Sequence, residues 1–296
     1  MIDAPGPGRP GRSVGPQGVR LCAFGDAVLD VLVTLDRLTV ADDDVPAEVV
    51  LCAGGQAANV AAWAVALGAS GAVVSRVGSD PAGRLVRDLL AAQGVELLAP
   101  GDVGRTGAVT AIVTPDGRRT MASDRRATAT FRASDLERRW FERRRWLHVS
   151  GYALFGPGSR DAALAASRMA RDAGADVSVD LSSATAVEGV GRGTLRSLLS
   201  EVAPAVVFAN AAEHEAAGPL EVPSVVVKHG ALGCAVHGDG GVREHPAPPA
   251  DVLDTTGAGD AFAAGYLVGG VGLALESARR CVSSRGAMPP VPGGGA

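Results

Sequence analysis

The chain has 296 residues, with 28 Lys and Arg against 32 Asp and Glu, and a formal net charge of -4. Its hydrophobic content of 47% is enough to bury the core of a large α/β domain. The mild acidity argues against a nucleic-acid-binding surface, which would need clustered Lys and Arg. The apolar run at residues 261–275 is uncharged, but it is shorter than the ~20 apolar residues that a membrane span requires. We therefore expect neither a nucleic acid nor a membrane as a partner.

The N-terminal residues 1–18 are rich in Gly, Pro and Arg and lack the apolar stretch of a signal peptide. This composition predicts a disordered tail and a cytoplasmic protein. The four cysteines are far apart in the sequence and include no Cys-x-x-Cys pair, which predicts free thiols rather than disulfides or zinc ligands.

From Val19 onward, short apolar runs alternate with Ala-rich amphipathic segments. The predicted strands are 19–24, 72–77, 146–150, 177–180, 206–209 and 225–227. The predicted helices are 59–67, 83–93, 159–173 and 194–202. Uniformly apolar short strands separated by helices indicate an α/β fold with a doubly wound, mostly parallel sheet.

Two further segments do not follow this alternation. The dipeptide Asp116-Gly117 separates two extended runs, 109–114 and 119–122, and predicts a hairpin. Together with extended residues near 34–51, this hairpin is expected to form a small sheet beside the main one. The stretch 137–145 alternates Arg with Glu, Trp and Phe, which predicts a helix with a solvated face.

The most informative segment is Asp-Thr-Thr-Gly-Ala-Gly-Asp at residues 254–260, which runs directly into an apolar helix. Free N–H groups and the positive end of the helix dipole form an anion site there. Asp260 is unusual in such a site because a carboxylate repels an anion. It is either a first-turn acid that stabilises the helix or a general base beside a transferring phosphoryl group. The segment alone leaves both readings open.

Other phosphate-binding patterns fit the sequence poorly. Lys228 is followed by His229, so the chain has no Gly-Lys-Ser/Thr of a Walker A loop. Phe262 stands where a dinucleotide-binding fingerprint would need its last glycine. These two mismatches exclude the Walker A class and make hydride chemistry a poor fit.

Two earlier segments carry residues that suit a polyol. Gly54 and Gly55 precede Asn59 at the start of a helix, where backbone N–H groups and an amide could face a ligand. The alternative is an ordinary turn with Asn59 as a helix cap. Asp26 and Asp30 follow the first predicted strand, at the sheet edge where open α/β folds bind ligands. They would either hold sugar hydroxyls or be ordinary loop acids.

Taken together, these segments resemble the ribokinase-like (PfkB) carbohydrate kinase family over residues 19–292. The segment 254–262 matches the C-terminal signature of that family, and 54–59 matches its N-terminal signature. Four shorter motifs occur in the expected order, at residues 25–30, 78–83, 210–213 and 228–233. The resemblance implies a single ribokinase-like domain with a small β lid, whose strands would lie roughly within 34–52 and 104–123.

The family assigns roles to the matching residues, and it implies ATP-dependent phosphorylation of a sugar hydroxyl with ATP and Mg²⁺ as cofactors. The catalytic set would be Asp260 as base, with the backbone of Gly257, Ala258 and Gly259 as anion hole. The substrate-binding set would be Asp30, Gly54, Gly55 and Asn59. The nucleotide-binding set would be Asn210, Lys228, Gly230 and Gly233. Metal sites would use Glu213 with Asn210 for Mg²⁺, and Asp254, Thr256 and the Gly286 backbone for a monovalent cation such as K⁺.

The substrate is left open at this stage. A small sugar phosphorylated at a primary hydroxyl is the leading interpretation. A nucleoside kinase of the adenosine or pseudouridine type is the alternative, with Tyr152 or Phe155 as the face for a base. A non-catalytic sensor of sugar or nucleotide is a third hypothesis. Selectivity is expected to depend on lid residues between Arg105 and Arg126, and the lid is also a candidate homodimer contact.

Overall fold

The computed structural model describes residues 18–37, 42, 44–101, 104–116 and 118–290. The predicted tail, residues 1–18, lies outside this part of the chain except for Gly18. The described strands are β1 Arg20–Phe24, β2 Val28–Leu35, β3 Ala47–Gly54, β4 Ser70–Val74, β5 Glu96–Leu98, β6 Ala108–Val113, β7 Arg119–Asp124, β8 Trp146–Ser150, β9 Asp176–Asp180, β10 Val206–Asn210, β11 Val225–Lys228, β12 Cys234–Gly238 and β13 Gly241–His245.

The helices lie between these strands, as the predicted alternation requires. They are α1 Gln56–Ala66, α2 Pro81–Ala92, α3 Gly151–Phe155, α4 Arg160–Asp172, α5 Ala184–Val190, α6 Arg192–Val202, α7 Ala211–Ala217, α8 Ala258–Gly269 and α9 Val271–Val282. None of the helices in the described ranges is long and apolar enough to cross a membrane.

The main sheet has nine strands in the order β13-β12-β11-β10-β9-β8-β1-β4-β5. Within this spatial order, the strands β11, β10, β9, β8, β1, β4 and β5 pair in parallel. Strands β12 and β13 pair antiparallel and lie at one edge of the sheet. After β1 the chain builds β4 and β5 on one side and then returns to build β8 to β11 on the other. The carboxyl ends of β1 and β8 therefore flank the point where the winding reverses, which is where open α/β sheets bind ligands.

Two hydrophobic cores cover the faces of this sheet. In β1, Leu21 and Ala23 face one core, together with α1, α8 and α9. Cys22 and Phe24 face the other, together with α4 and α6. This alternation along one strand is the two-sided burial predicted from the apolar runs, and the doubly wound α/β fold is confirmed.

The lid is a four-stranded sheet in the order β3-β2-β6-β7. The predicted hairpin is β6 and β7, which pair antiparallel. The lid strands begin at Val28, earlier than the expected range of 34–52, because β2 pairs along its full length with β3. The boundaries of a single domain at 19–292 stay a prediction.

The prediction of a helix over 137–145 is wrong. Only the short 3-10 turn Arg138–Trp140 forms there. Trp140 and Phe141 are buried in the core beneath the sheet, and Arg143 has a φ of 59°, which an α-helix does not tolerate. The aromatic residues of this stretch thus serve the core rather than one face of a helix.

Candidate active site

A cleft of about 960 Å³ lies at the carboxyl ends of the strands and extends to the lid. Its walls combine lid residues such as Val109 and Met121 with strand ends of the main sheet. The predicted site residues that line it are Asp30, Gly55, Asn59, Asn210, Glu213, Lys228, Gly230, Gly233, Thr256, Gly257, Ala258, Gly259 and Asp260. Three segments far apart in the sequence, residues 25–30, 54–59 and 254–260, therefore meet in one cleft.

Helix α8 begins directly at the cleft. Its N-cap, Gly257, has a φ of 76°, and a Cβ there would lie 2.6 Å from the Cα of Ala287. Only glycine accommodates both this backbone conformation and this close approach. Most N–H groups in the first turn of a helix have no intrahelical acceptor, and the positive end of the helix dipole lies there, so this end of α8 suits an anion.

Asp260 lies in the first turn of α8 and lines the same cleft. Burial raises the pKa of Asp260 to about 7, opposed by a hydrogen bond from Asn59 and reinforced by the charge of Asp180. Such a carboxyl group loses its proton near neutral pH and can take one from an alcohol.

The first turn of α1 supplies amide groups to this carboxylate. Asn59 Nδ2 donates to Asp260 Oδ2 at 2.8 Å. The Gln56 side chain lines the same cleft and favours the charged form of Asp260, which lowers the pKa of that carboxyl. Residues 56 and 59 are three apart and share one face of the helix, so one turn can reach the carboxylate twice. Asn59 was expected to hold the substrate, which stays a prediction, and in the structure its amide donates to Asp260.

Asp30 lies on β2 at the lid end of the cleft. Its carboxylate lies against the backbone of Gly54, the residue that ends β3. Burial raises the pKa of Asp30 to about 7. Asp30 Oδ1 and Asn59 Oδ1 are both buried and accept no hydrogen bond within the described part of the chain. Hydroxyl groups of a bound polyol would satisfy such acceptors.

An arginine from the lid reaches the opposite wall of the cleft. Arg125 follows β7 and forms an ion pair with Asp26, which follows β1. Its guanidinium carbon also lies 3.8 Å from the centre of the Tyr152 ring. Arg125 thus joins the lid to the main sheet and covers one face of Tyr152. Phe155, the other aromatic candidate for a nucleobase, is buried in the core.

Lys228 ends β11 beside the start of α8. Its Nζ lies 2.6 Å from Asp180 Oδ2, and a Cβ on Gly259 would be 3.2 Å from the same Nζ. Burial alone would lower the pKa of Lys228. The charge and the hydrogen bond of Asp180 have the opposite effect and prevail, so the pKa of Lys228 is raised. A fixed positive charge therefore adjoins the N-terminus of α8.

Asn210 and Glu213 form a capping box at the start of α7. Glu213 Oε2 and Oε1 accept from the backbone N and Nδ2 of Asn210, each at 2.8 Å. Burial raises the pKa of Glu213, and the charge of Asp180 adds to it. Within the described ranges, no group of three or more His, Cys, Asp or Glu could hold a metal ion. One carboxylate suits Mg²⁺, which keeps waters and takes the phosphates of its nucleotide as ligands.

Three predicted residues are joined by hydrogen bonds at the loop that starts α8, and of these Thr256 also lines the cleft. Asp254 Oδ1 accepts from Thr256 N at 2.9 Å, and Asp254 Oδ2 accepts from Gly286 N at 3.0 Å. The Thr256 carbonyl accepts from the thiol of Cys281 at 3.3 Å. The structure thus brings Asp254, Thr256 and Gly286 together beneath the loop that starts α8.

The sequence analysis missed four residues of this site, which are Gln56, Asp180, Ser182 and Arg125. Two of them carried a readable signal: Gln56 stands inside the segment 54–59, and Asp180 ends a predicted strand. Arg125 lies within the lid range expected to control selectivity. Nothing in the sequence near Ser182 marks it, since its φ of 65° becomes visible only in the structure.

Comparisons with known proteins find several kinases that are similar to this chain. An ATP-dependent ribose-1-phosphate kinase of Halopiger xanaduensis is 31% identical, covering 89% of this chain and 90% of that protein. A fructokinase of Escherichia coli is 28% identical, covering 92% and 96%. A solved Escherichia coli structure, described as a putative ribokinase II in complex with ATP and Mg²⁺, has a TM-score of 0.78 at 21% identity and covers 91% of this chain and 94% of that one.

The same assignment follows from a family description. The model of the pfkB family carbohydrate kinases matches residues 20–282, from β1 to the end of α9. That span contains the cleft, the helix start at Gly257 and the carboxylate of Asp260. Because the match runs through every element that builds the site, the chain belongs to the pfkB family of carbohydrate kinases.

Proposed function

We propose that this protein transfers the γ-phosphoryl group of ATP to a primary hydroxyl of a small, uncharged sugar. The observation that carries the proposal is the partly buried carboxylate of Asp260 at the N-terminus of α8. The positive N-terminus of the helix attracts the negatively charged phosphoryl group. A carboxylate beside it can act as a base only on a group that gives up a proton. A sugar hydroxyl supplies that proton.

The chemistry follows from the positions of these groups. The sugar oxygen forms a bond to the γ-phosphorus, while the bond from that phosphorus to the β,γ-bridging oxygen breaks. Asp260 takes the hydroxyl proton, and ADP leaves with the electron pair. The N–H groups at Gly257 to Gly259 and the ammonium of Lys228 stabilise the charge that develops on the phosphoryl oxygens. The lid excludes water, which would otherwise compete as acceptor.

The nucleotide is placed along the strand ends beyond Lys228. Gly230 and Gly233 line the cleft there and permit close approach of a ligand. Asn210 and Glu213 would hold Mg²⁺ through its waters and the phosphates, where the metal neutralises phosphate charge. Glu213 suits this role because its buried carboxylate lies on the cleft wall.

The sugar end of the cleft favours an uncharged polyol over a nucleoside. Asp30 and Asn59 present buried acceptors that need hydroxyl donors. A nucleobase would need an open aromatic face, but Arg125 covers one face of Tyr152. The charge of Arg125 is already balanced by Asp26, so a sugar phosphate would meet no free cation at this wall.

Three further expectations belong to the same proposal. Asp254, Thr256 and the Gly286 backbone are the candidate site for K⁺, which carbonyl oxygens coordinate in proteins. The lid exposes apolar side chains that would pair with a second copy: Val49, Val50, Leu51, Ile112 and Met121. Light scattering would test this dimer, since a monomer at every concentration contradicts it. A cytoplasmic location, which supplies ATP and keeps thiols reduced, stays a prediction.

The test is ADP release with Mg-ATP across pentoses, hexoses, keto-deoxy acids, ribose 1-phosphate and nucleosides. We expect turnover on an uncharged sugar, and a loss of about 10²–10⁴-fold in Asp260→Asn because a general base contributes that much. Asp161→Asn, which changes an exposed acid in the first turn of α4, is the matched control. Ligand-induced stabilisation without turnover would instead indicate a sensor, and turnover on nucleosides alone would overturn the substrate class.

A further inference from the structure

A second network lies behind the reacting groups, and it is centred on Gln56. The Oε1 atom of Gln56 accepts hydrogen bonds from two hydroxyl groups, those of Ser150 and Ser182, the latter at 2.6 Å. Ser150 ends β8, and Ser182 follows the end of β9. The side chain of Gln56 is therefore tied to the strands on one side while its helix, α1, faces Asp260 on the other.

These two hydroxyls determine which way the Gln56 amide points. Ser182 Oγ already accepts from the N–H of Gly151 at 2.9 Å, so its proton is free to be donated. The acceptors in reach are Gln56 Oε1 and the Asp180 carbonyl, the latter at the longer distance of 3.0 Å. With Oε1 occupied by the hydroxyls, the NH₂ group is left as the donor on the other side of the amide, and Gln56 favours the charged form of Asp260 on the same cleft wall. An unconstrained amide could rotate and present its oxygen to the carboxylate, which would repel it.

The electrostatic setting gives this orientation a consequence. Asp180 opposes the charge on Asp260, while Lys228 favours it. Tyr152 on α3 and Cys281 on α9 are the other titratable groups whose charge Asp260 influences. Hydrogen bonds from Asn59 and Gln56 act against the burial that raises the pKa of Asp260. The two amides thus favour the charged form of the Asp260 carboxylate, whereas burial and the charge of Asp180 favour its protonated form.

We propose that Gln56 is a positioning residue for the base, held by Ser150 and Ser182 so that its amide donates to the Asp260 carboxylate. This inference rests on the proposed function, because it assigns Asp260 as the base. Asn59 fixes Asp260 Oδ2, and Gln56 provides the second point of attachment. A carboxylate held at two points keeps one lone pair directed to the sugar hydroxyl, which is the geometry that proton transfer needs.

The experiment compares the pH dependence of kcat/KM for the parent, Gln56→Leu and the double variant Ser150→Ala/Ser182→Ala, with the sugar identified above. Gln56→Leu is expected to move the acidic limb to higher pH, so that its deficit relative to the parent is about tenfold larger at pH 6 than at pH 9. The double variant removes the two hydroxyls that donate to Gln56 and leaves the Gln56 amide in place, so it should move the limb in the same direction by a smaller amount.

Gln93→Leu is the matched control, because Gln93 donates to the Pro289 carbonyl on another part of the fold. Circular dichroism and melting curves show whether each variant is folded. An increase in the KM of the sugar with an unchanged pH profile would mean that Gln56 binds substrate, and it would overturn the proposal. A parent without any sugar turnover would contradict the proposed function itself, which is a separate result.

Discussion

Lys228 Nζ lies 2.6 Å from Asp180 Oδ2, which joins the end of β11 to the end of β9 across β10. The Asp180 carboxylate is nearly inaccessible, with 2% of its side chain exposed, and Lys228 keeps 16%. Ser182 N donates to the second carboxylate oxygen, Oδ1, at 2.9 Å. The only lysine of the chain is thereby fixed beside Gly259, where a phosphoryl group is expected to bind.

The first prediction concerns the stability of this pair. Lys228→Met should lower the free energy of unfolding by about 3–5 kcal/mol, because Asp180 would keep a buried charge without its partner. Lys228→Met/Asp180→Asn should cost clearly less than the sum of the two single changes. Urea denaturation of the four proteins measures the coupling, and additive losses would show that the two charges do not stabilise each other.

The second prediction concerns pH. Since the pKa of Asp260 is about 7 and the base acts in its ionised form, kcat/KM should fall about tenfold per unit of pH below 7 and level off above it. Rates from pH 5 to pH 9 on the best sugar provide the profile. Asp161→Asn should keep the same profile, and a parent whose rate is flat from pH 5 to pH 9 would contradict the role of Asp260.

The third prediction concerns Asp30. Its pKa is raised from 3.8 to about 7, so the folded protein binds this proton more tightly than the unfolded chain. The resulting stabilisation is present at acidic pH and is lost as pH rises through 7. Asp30→Asn should therefore stabilise the sugar-free protein at pH 8 by about 2 kcal/mol, and by less at pH 5. Melting curves at both pH values test this, and an equal gain at both would show that the charge is not the cause.

The fourth prediction concerns Arg125. Arg125→Met breaks the ion pair with Asp26 and uncovers Tyr152, so the KM of the sugar should rise about tenfold while the KM of ATP changes little. The pKa of Tyr152, which burial raises, should rise further because Arg125 lowers it. Ultraviolet titration of tyrosinate reads this change directly. Arg126→Met is the control, since Arg126 pairs with Asp124 at an exposed position, and equal effects of both changes would exclude a specific role.

The fifth prediction concerns the monovalent cation. ADP release should be faster in K⁺ than in Na⁺ at equal ionic strength, and Asp254→Asn should remove the difference. Thr256 and Gly286 both bond to this carboxylate, so its replacement would disturb the loop that begins α8. Identical rates of the parent in the two salts would show that the site holds no activating cation.

Much of the fold could be predicted because buried parallel strands are short, apolar and separated by helices. The strand 146–150 was predicted at its observed bounds as β8. The hairpin β12–β13 was missed, since residues 241–244 of β13 are exposed and show no apolar pattern. The start of α1 was predicted three residues late because its N-cap is Gly55, with a φ of 98°, which has no side chain to mark the start of a helix.

The site could be predicted where its residues are adjacent in the sequence, as at 54–59 and 254–260. Contacts between strand ends could not be predicted from the sequence, because Asp180 and Lys228 are 48 residues apart and no spacing rule relates them. The same holds for the pair of Arg125 and Asp26, which depends on how the lid closes over β1. The contact of Asn59 with Asp260 spans 201 residues and became visible only when α1 and α8 were seen to pack together.

The single lysine also gives the molecule a natural site for chemical labelling, so that no substitution is needed to introduce one. Reductive methylation with isotopically enriched formaldehyde modifies amines, and here it can reach only the N-terminal amine and Lys228. One methyl resonance would then report the environment of the ammonium between Asp180 and the start of α8. Its response to ATP, to sugar and to both together would separate the steps of complex formation in solution, one ligand at a time.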